Sequence, residues 1–83
     1  MSLHYEARTR ALNIKHGERV LIKRKAEDEE DGWENGWDDD MDIHIDTIGV
    51  AVDVHEGSGG VRVRHPNGEH WYYPFFVLDF IDR

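Results

Sequence analysis

The stretch Thr47-Ile48-Gly49-Val50-Ala51-Val52-Asp53-Val54 decides the fold class. Apolar, mostly β-branched residues fall there at every second position, the period of a strand with two unlike faces. Ile48, Val50, Val52 and Val54 are expected to face a core, with Thr47, Gly49, Ala51 and Asp53 on the other side. Toward the N-terminus, residues 19–25 read as a first strand, with Val20 and Ile22 on one face and Leu21 and Lys23 on the other. Toward the C-terminus, residues 56–60 are a glycine-rich connection, after which Val61, Val63 and His65 alternate with Arg62 and Arg64. Asn67-Gly68 is the pair favoured in a two-residue type I′ turn, where both positions need positive φ. That turn predicts His65 opposite His70 and Arg64 opposite Trp71. Pro74 has no N–H for a ladder and ends the fourth strand; Phe75, Phe76 and Val77 suit one 3₁₀ turn before a last strand over residues 78–81. The expected core is Val20, Ile22, Ile48, Val50, Val52, Val61, Val63, Leu78 and Ile81.

Between the first two strands, residues 26–46 form a long polar loop in which Gly32 and Gly36 interrupt any helix. It carries Trp33, Trp37 and Met41. Before the first strand, Leu3, Ala7, Ala11 and Ile14 fit a helical stripe, although Leu12 and Ile14 also fit a strand; a short helix is the preferred reading. The chain thus divides into an N-terminal extension over residues 1–16 and an all-β unit over residues 17–83.

Composition narrows the chemistry. At 83 residues there is material for one hydrophobic core. Without cysteine there is no disulfide framework, thiolate zinc site or cysteine nucleophile, and a reducing, cytoplasmic setting is expected. No apolar run approaches the roughly 20 residues that span a bilayer, and no signal-peptide pattern is seen. Ten basic against 18 acidic residues give a net charge of -8, which opposes direct binding to nucleic acid. No Lys or Arg occurs between Lys25 and Arg62, whereas residues 27–46 hold eleven carboxylates.

The order strand, long loop, strand, hairpin, 3₁₀ turn and final strand is that of a five-stranded SH3-like barrel. Gly17-Glu18-Arg19-Val20, Gly32-Trp33, Trp37 with Met41, Ile48-Gly49-Val50-Ala51-Val52, Val61-Arg62-Val63 and Trp71-Tyr72-Tyr73-Pro74 with Leu78 together resemble the SH3-like repeat of mind bomb ubiquitin ligases. Similar small single-domain proteins occur in phages and bacteria. The resemblance covers residues 15–81 and implies an SH3-like fold that binds a protein or peptide.

Catalytic and metal chemistry find little support. Asp38, Asp40 and Asp42 open like a calcium loop, but Ile43 takes the place of the required glycine and Gly49 that of the bidentate glutamate. His65 and His70, if paired across the hairpin, could share a metal with His55 or Glu69, yet no complete ligand set is visible. Ser58 lies in Gly57-Ser58-Gly59-Gly60 rather than a nucleophile elbow, and no phosphate-binding loop exists. No enzyme activity and no cofactor are expected, and folding is expected to need no metal. The aromatic residues carry the remaining signal. Strand alternation predicts Tyr72 inward, with Trp71 and Tyr73 outward beside Arg64 and Arg62 as cation–π partners. Trp33 and Trp37 either anchor the loop or meet a ligand. The site expected is a groove lined by Trp33, Trp37, Asp38, Asp39 and Asp40 and floored by Trp71, Tyr73, Pro74 and Phe75, suited to a basic protein or peptide. Two other readings are an acidic decoy that occupies a DNA-binding protein and, with least support, a small metal-dependent hydrolase.

Overall fold

The computed structural model describes residues 3–55 and 59–83. An α-helix, α1 (Leu3–Ala11), precedes five strands: β1 (Arg19–Ile22), β2 (Ile48–His55), β3 (Gly60–Arg64), β4 (His70–Tyr73) and β5 (Leu78–Phe80). All pair antiparallel in one sheet of order β4-β3-β2-β1-β5. β4 and β5 are its edges, and no ladder joins them among the described residues, so the sheet is not closed by hydrogen bonds. Glu56, Gly57 and Ser58, most of the expected glycine-rich connection, lie outside the described residues.

α1 confirms the helical reading of the N-terminal segment, but its buried face differs from the predicted stripe. Tyr5 and Thr9, one turn apart, are buried, while Ala7 and Ala11 are exposed. Tyr5 is the reason: its ring meets Phe75 and Phe76 at 5.4 and 6.4 Å, so the largest apolar side chain sets the rotation of the helix. The Leu3 side chain lies outside the described residues.

The central strand corrects the sequence reading most. In β2 it is Gly49 and Ala51 that are buried; Ile48 is 45% exposed, and Val50 and Val52 are half-buried. The space beneath this strand is already filled. A Cβ on Gly49 would come 2.5 Å from Val63 Cγ1 and 2.9 Å from the Arg64 carbonyl oxygen. Val63, the Arg64 carbonyl and the His65 ring occupy that space, so the residue facing them must be small. A β-bulge then breaks the alternation: Ala51 pairs with Val63, but Asp53 pairs with Arg62, which leaves Val52 as the extra residue. Val20, Ile22, Val61, Val63 and Leu78 are buried as expected, whereas Ile48, Val50, Val52 and Ile81 are not.

The hairpin also differs by one residue. Arg64 lies opposite His70 and Val63 opposite Trp71, and the turn is closed by Gly68 N–H donating to the His65 carbonyl and His65 N–H to that of Glu69. Gly68 alone in this turn has positive φ, at 90°. Pro66 explains the slip. Its ring fixes a negative φ at the first central position, which suits a type I turn followed by a left-handed glycine and excludes type I′. The slip turns Tyr73 inward opposite Val61, where it is fully buried, and places Tyr72 outward opposite Arg62, the reverse of the prediction.

The acidic loop is more ordered than its composition implies. It contains a 3₁₀ turn, Glu30–Gly32, and a longer 3₁₀ segment, Asp39–His44. Asp38 caps the second: its Oδ1 accepts from Asp40 N–H at 2.8 Å, while Asp38 N–H points to Met41 Sδ at 3.2 Å. The segment then drives Met41 and His44 into the core. The predicted 3₁₀ turn after Pro74 is present as Phe75–Val77.

Candidate binding cleft

The nine residues expected to share one groove fall into distinct environments. Trp33 is fully buried, and its Nε1 donates to the Gly59 carbonyl at 3.1 Å, so it anchors the acidic loop to the start of β3. Tyr73 and Pro74 are buried as well and offer no open floor. Phe75 is half-buried against α1, touching Tyr5, with the Arg8 guanidinium 4.9 Å from its ring centre. Trp71 is half-buried at the hairpin, and its Nε1 donates to Glu69 Oε1 at 2.9 Å. The expected stacking of Arg62 and Arg64 on Trp71 and Tyr73 is not found; among the described residues guanidinium groups instead lie over Phe75, Phe76 and Phe80.

Trp37, Asp38 and Asp39 do come together. Trp37 is half-buried, its ring edge-on to Tyr73 at 5.6 Å and its Nε1 donating to Asp42 Oδ1 at 2.7 Å. One side of the indole is thus fixed by the core and its N–H by the 3₁₀ segment. Two open clefts meet at this residue. The larger, of about 420 Å³, is walled by Asp28, Glu29, Glu34 and Asp38 with Asn35 and Gly36. The smaller, of about 280 Å³, is bounded by Glu27, Asp28 and Asp39, with Lys25 as its one basic neighbour. Asp40 is exposed and lines neither cleft; its N–H bonds Asp38 Oδ1.

Local backbone geometry holds these carboxylates in place. Glu29 and Asp31 have φ of 59° and 50°, a left-handed conformation that costs a non-glycine residue about 1–2 kcal/mol. Between them, Glu30 folds back: its two carboxylate oxygens take Arg24 as a fork, at 2.8 and 3.2 Å, and Oε1 also accepts from Glu27 N–H. The Arg24 guanidinium holds the Glu30 carboxyl below its ordinary pKa. Inward-turned Glu30 leaves its neighbours Asp28 and Glu29 exposed at the cleft.

A second cluster, which the sequence did not reveal, lies behind the cleft. The rings of His44 and His65 stack face to face, 3.6 Å between centres and 9° from parallel, and both are buried. His44 Nε2 meets Glu69 Oε1 at 2.9 Å; His65 Nε2 is hydrogen bonded to the Tyr73 hydroxyl at 2.8 Å. Burial, reinforced by His44, pushes the pKa of His65 down from 6.5 to about 4, and burial raises that of Tyr73. His65 shares the strand face of Val61 and Val63, but beside the turn it reads as an ordinary surface or half-buried histidine, and His44, flanked by Ile43 and Ile45, reads as a surface residue; both are buried. The 3₁₀ segment inverts the reading of His44: Ile43 is 66% exposed and His44 buried.

Paired carboxylates and stacked histidines are both present, in separate places. The carboxylates line open clefts, and His44 and His65 are buried. His65 and His70 do not form the expected pair, because His70 faces Arg64 on the exposed side. Among the described residues no group of three or more metal-ligating side chains is assembled, and no helix is long and apolar enough to cross a membrane. Comparisons with protein-family models, with curated proteins and with solved structures give no match.

Proposed function

We propose that this chain is a non-catalytic module that binds a basic segment of another protein in the acidic clefts around Trp37. One observation carries this reading: a half-exposed indole, immobilised by Tyr73 and Asp42, stands where two open acidic clefts meet. An indole face attracts Lys or Arg by cation–π interaction, and the surrounding carboxylates add steering and charge-assisted hydrogen bonds. An immobilised aromatic also loses little entropy on binding, as affinity anchors require. The mind bomb-like pattern of turn and core residues supports the same class of function, and with it an SH3-like barrel in which the loop after the first strand forms the ligand site. A cytoplasmic setting accords with the absence of cysteine.

The direct test is titration of an arginine- and lysine-rich peptide at low and at physiological salt, against a scrambled peptide with its basic residues replaced by Gln. Tight, salt-weakened binding of the basic peptide supports the proposal. Equal binding of both peptides, or of neither, overturns it.

The decoy reading draws on the same exposed carboxylates, since a surface of Asp and Glu can imitate phosphate spacing. It adds one requirement: double-stranded DNA must compete for the partner.

A further inference from the structure

We propose that the His44–His65 stack is a proton-sensitive latch on the Trp37 cleft, holding the 3₁₀ segment Asp39–His44 against the β3–β4 hairpin and releasing it on acidification. The inference rests on the binding reading above for its functional consequence, and on the geometry of the stack for its mechanism.

The segment that carries the cleft is tied down at both ends. At one end, His44 lies flat on His65 and reaches Glu69. At the other, Trp37 packs on Tyr73, whose hydroxyl bonds His65. Both ties converge on His65. Between them, Asp42 holds the Trp37 indole and Asp38 caps the segment, so Asp38 and Asp39 cannot keep their places in the cleft if the segment lifts.

The two imidazoles are not equivalent toward a proton. A charge on His44 would face the Glu69 carboxylate directly, forming an ion pair across the stack edge. A charge on His65 would face Tyr73, which is neutral because burial raises its pKa, with the His44 and His70 rings also near it and Glu69 as the carboxylate that opposes them. His65 Nδ1 is buried without a hydrogen-bond partner, so a proton added there finds no acceptor. A backbone wall closes that side, since a Cβ on Gly49 would already lie 3.3 Å from this nitrogen. The stack therefore resists a proton on His65. Once both rings are charged, two parallel cations 3.6 Å apart in a buried site repel, and the segment is the movable partner. The hairpin side cannot yield as readily, because β3 is held in the sheet between β2 and β4.

The test follows the ligand-free protein and then the bound one. A pH titration of the imidazole resonances by NMR is expected to show His65 uncharged well below 6.5 and taking its proton near 4. Hydrogen-exchange protection of Met41 and Ile45, whose N–H groups bond the Asp38 and Asp42 carbonyls, should fall in step. H65F keeps a ring against His44 without a titratable nitrogen, and should remove this pH dependence. Affinity for the arginine- and lysine-rich peptide should drop more steeply on acidification in the wild type than in H65F, by up to about tenfold per pH unit for one linked proton. Any effect of acid on the cleft itself is shared by both proteins and cancels in that comparison. If His65 titrates near 6.5, or if protection of the segment is unchanged as it charges, the latch is wrong whether or not peptide binds. If the latch titrates as described but the peptide does not bind at neutral pH, the binding reading fails and the latch stands. Should H65F not fold, the wild-type titration decides alone.

Discussion

A Cβ on Gly60 would lie 2.9 Å from the indole nitrogen of Trp33 and 2.5 Å from the Tyr73 carbonyl oxygen, so Gly60 is the point at which the acidic loop, β3 and β4 close on one another. Its φ of 103° adds a second demand for glycine. Gly60→Ala is expected to destabilise the protein by about 3 kcal/mol or more through backbone strain and overpacking. Urea denaturation measures it, and a loss below about 1 kcal/mol would mean that the loop is not seated as described.

The phase of the central strand has a plain mutational signature. Val63→Ala, in the core opposite Ala51, should cost on the order of 2 kcal/mol or more, whereas Ile48→Ala on the exposed face should cost much less. The sequence alone predicted Ile48 in the core, so equal losses at the two positions would restore that reading. Gly49→Ala is a sharper probe, because it should disrupt the strand only if residue 49 faces inward.

Stability should also fall on mild acidification. The folded pKa of His65, about 4, lies below its ordinary 6.5, so between these values the unfolded chain holds more protons than the native one. The contribution is complete above pH 6.5 and is lost as the pH falls toward 4, by roughly 3 kcal/mol at most. Glu69, whose carboxyl is held below its ordinary pKa first by His44 and then by Trp71, acts in the same direction at lower pH. Denaturation curves of the wild type and H65F across this range separate the two: only the histidine part should vanish in H65F.

At the cleft, the triple change of Asp38, Asp39 and Asp40 to Asn should slow association with a basic peptide and flatten its salt dependence. Trp37→Ala should instead speed dissociation, as loss of an anchor does. Stopped-flow binding distinguishes the two effects. A partner indifferent to salt and to the triple change would reduce the eleven carboxylates to a solubility role.

Sequence periodicity determined where the strands lie, and proline and glycine determined where they end. Pro74 closed β4, the 3₁₀ turn Phe75–Val77 followed it, and Val61 and Val63 alternated inward as expected. These are local properties, set by backbone sterics and missing donors within a few residues. The acidic character of the loop and the grouping of Trp37 with Asp38 and Asp39 were legible for the same reason, because contiguous residues remain neighbours.

Which face of β2 is buried was decided only in three dimensions. The space beneath Gly49 is taken by Val63 and the His65 ring, which come from another strand and its turn, and a bulge at Val52 erased the continuity that the alternation implied. The hairpin register turned on Pro66, a local signal that a favoured Asn67-Gly68 pair outweighed in the sequence reading. The His44–His65 stack left no periodic trace at all. It exists because a 3₁₀ segment rotates one histidine inward at the place where a strand delivers another, and close packing between separate elements carries no sequence period of its own.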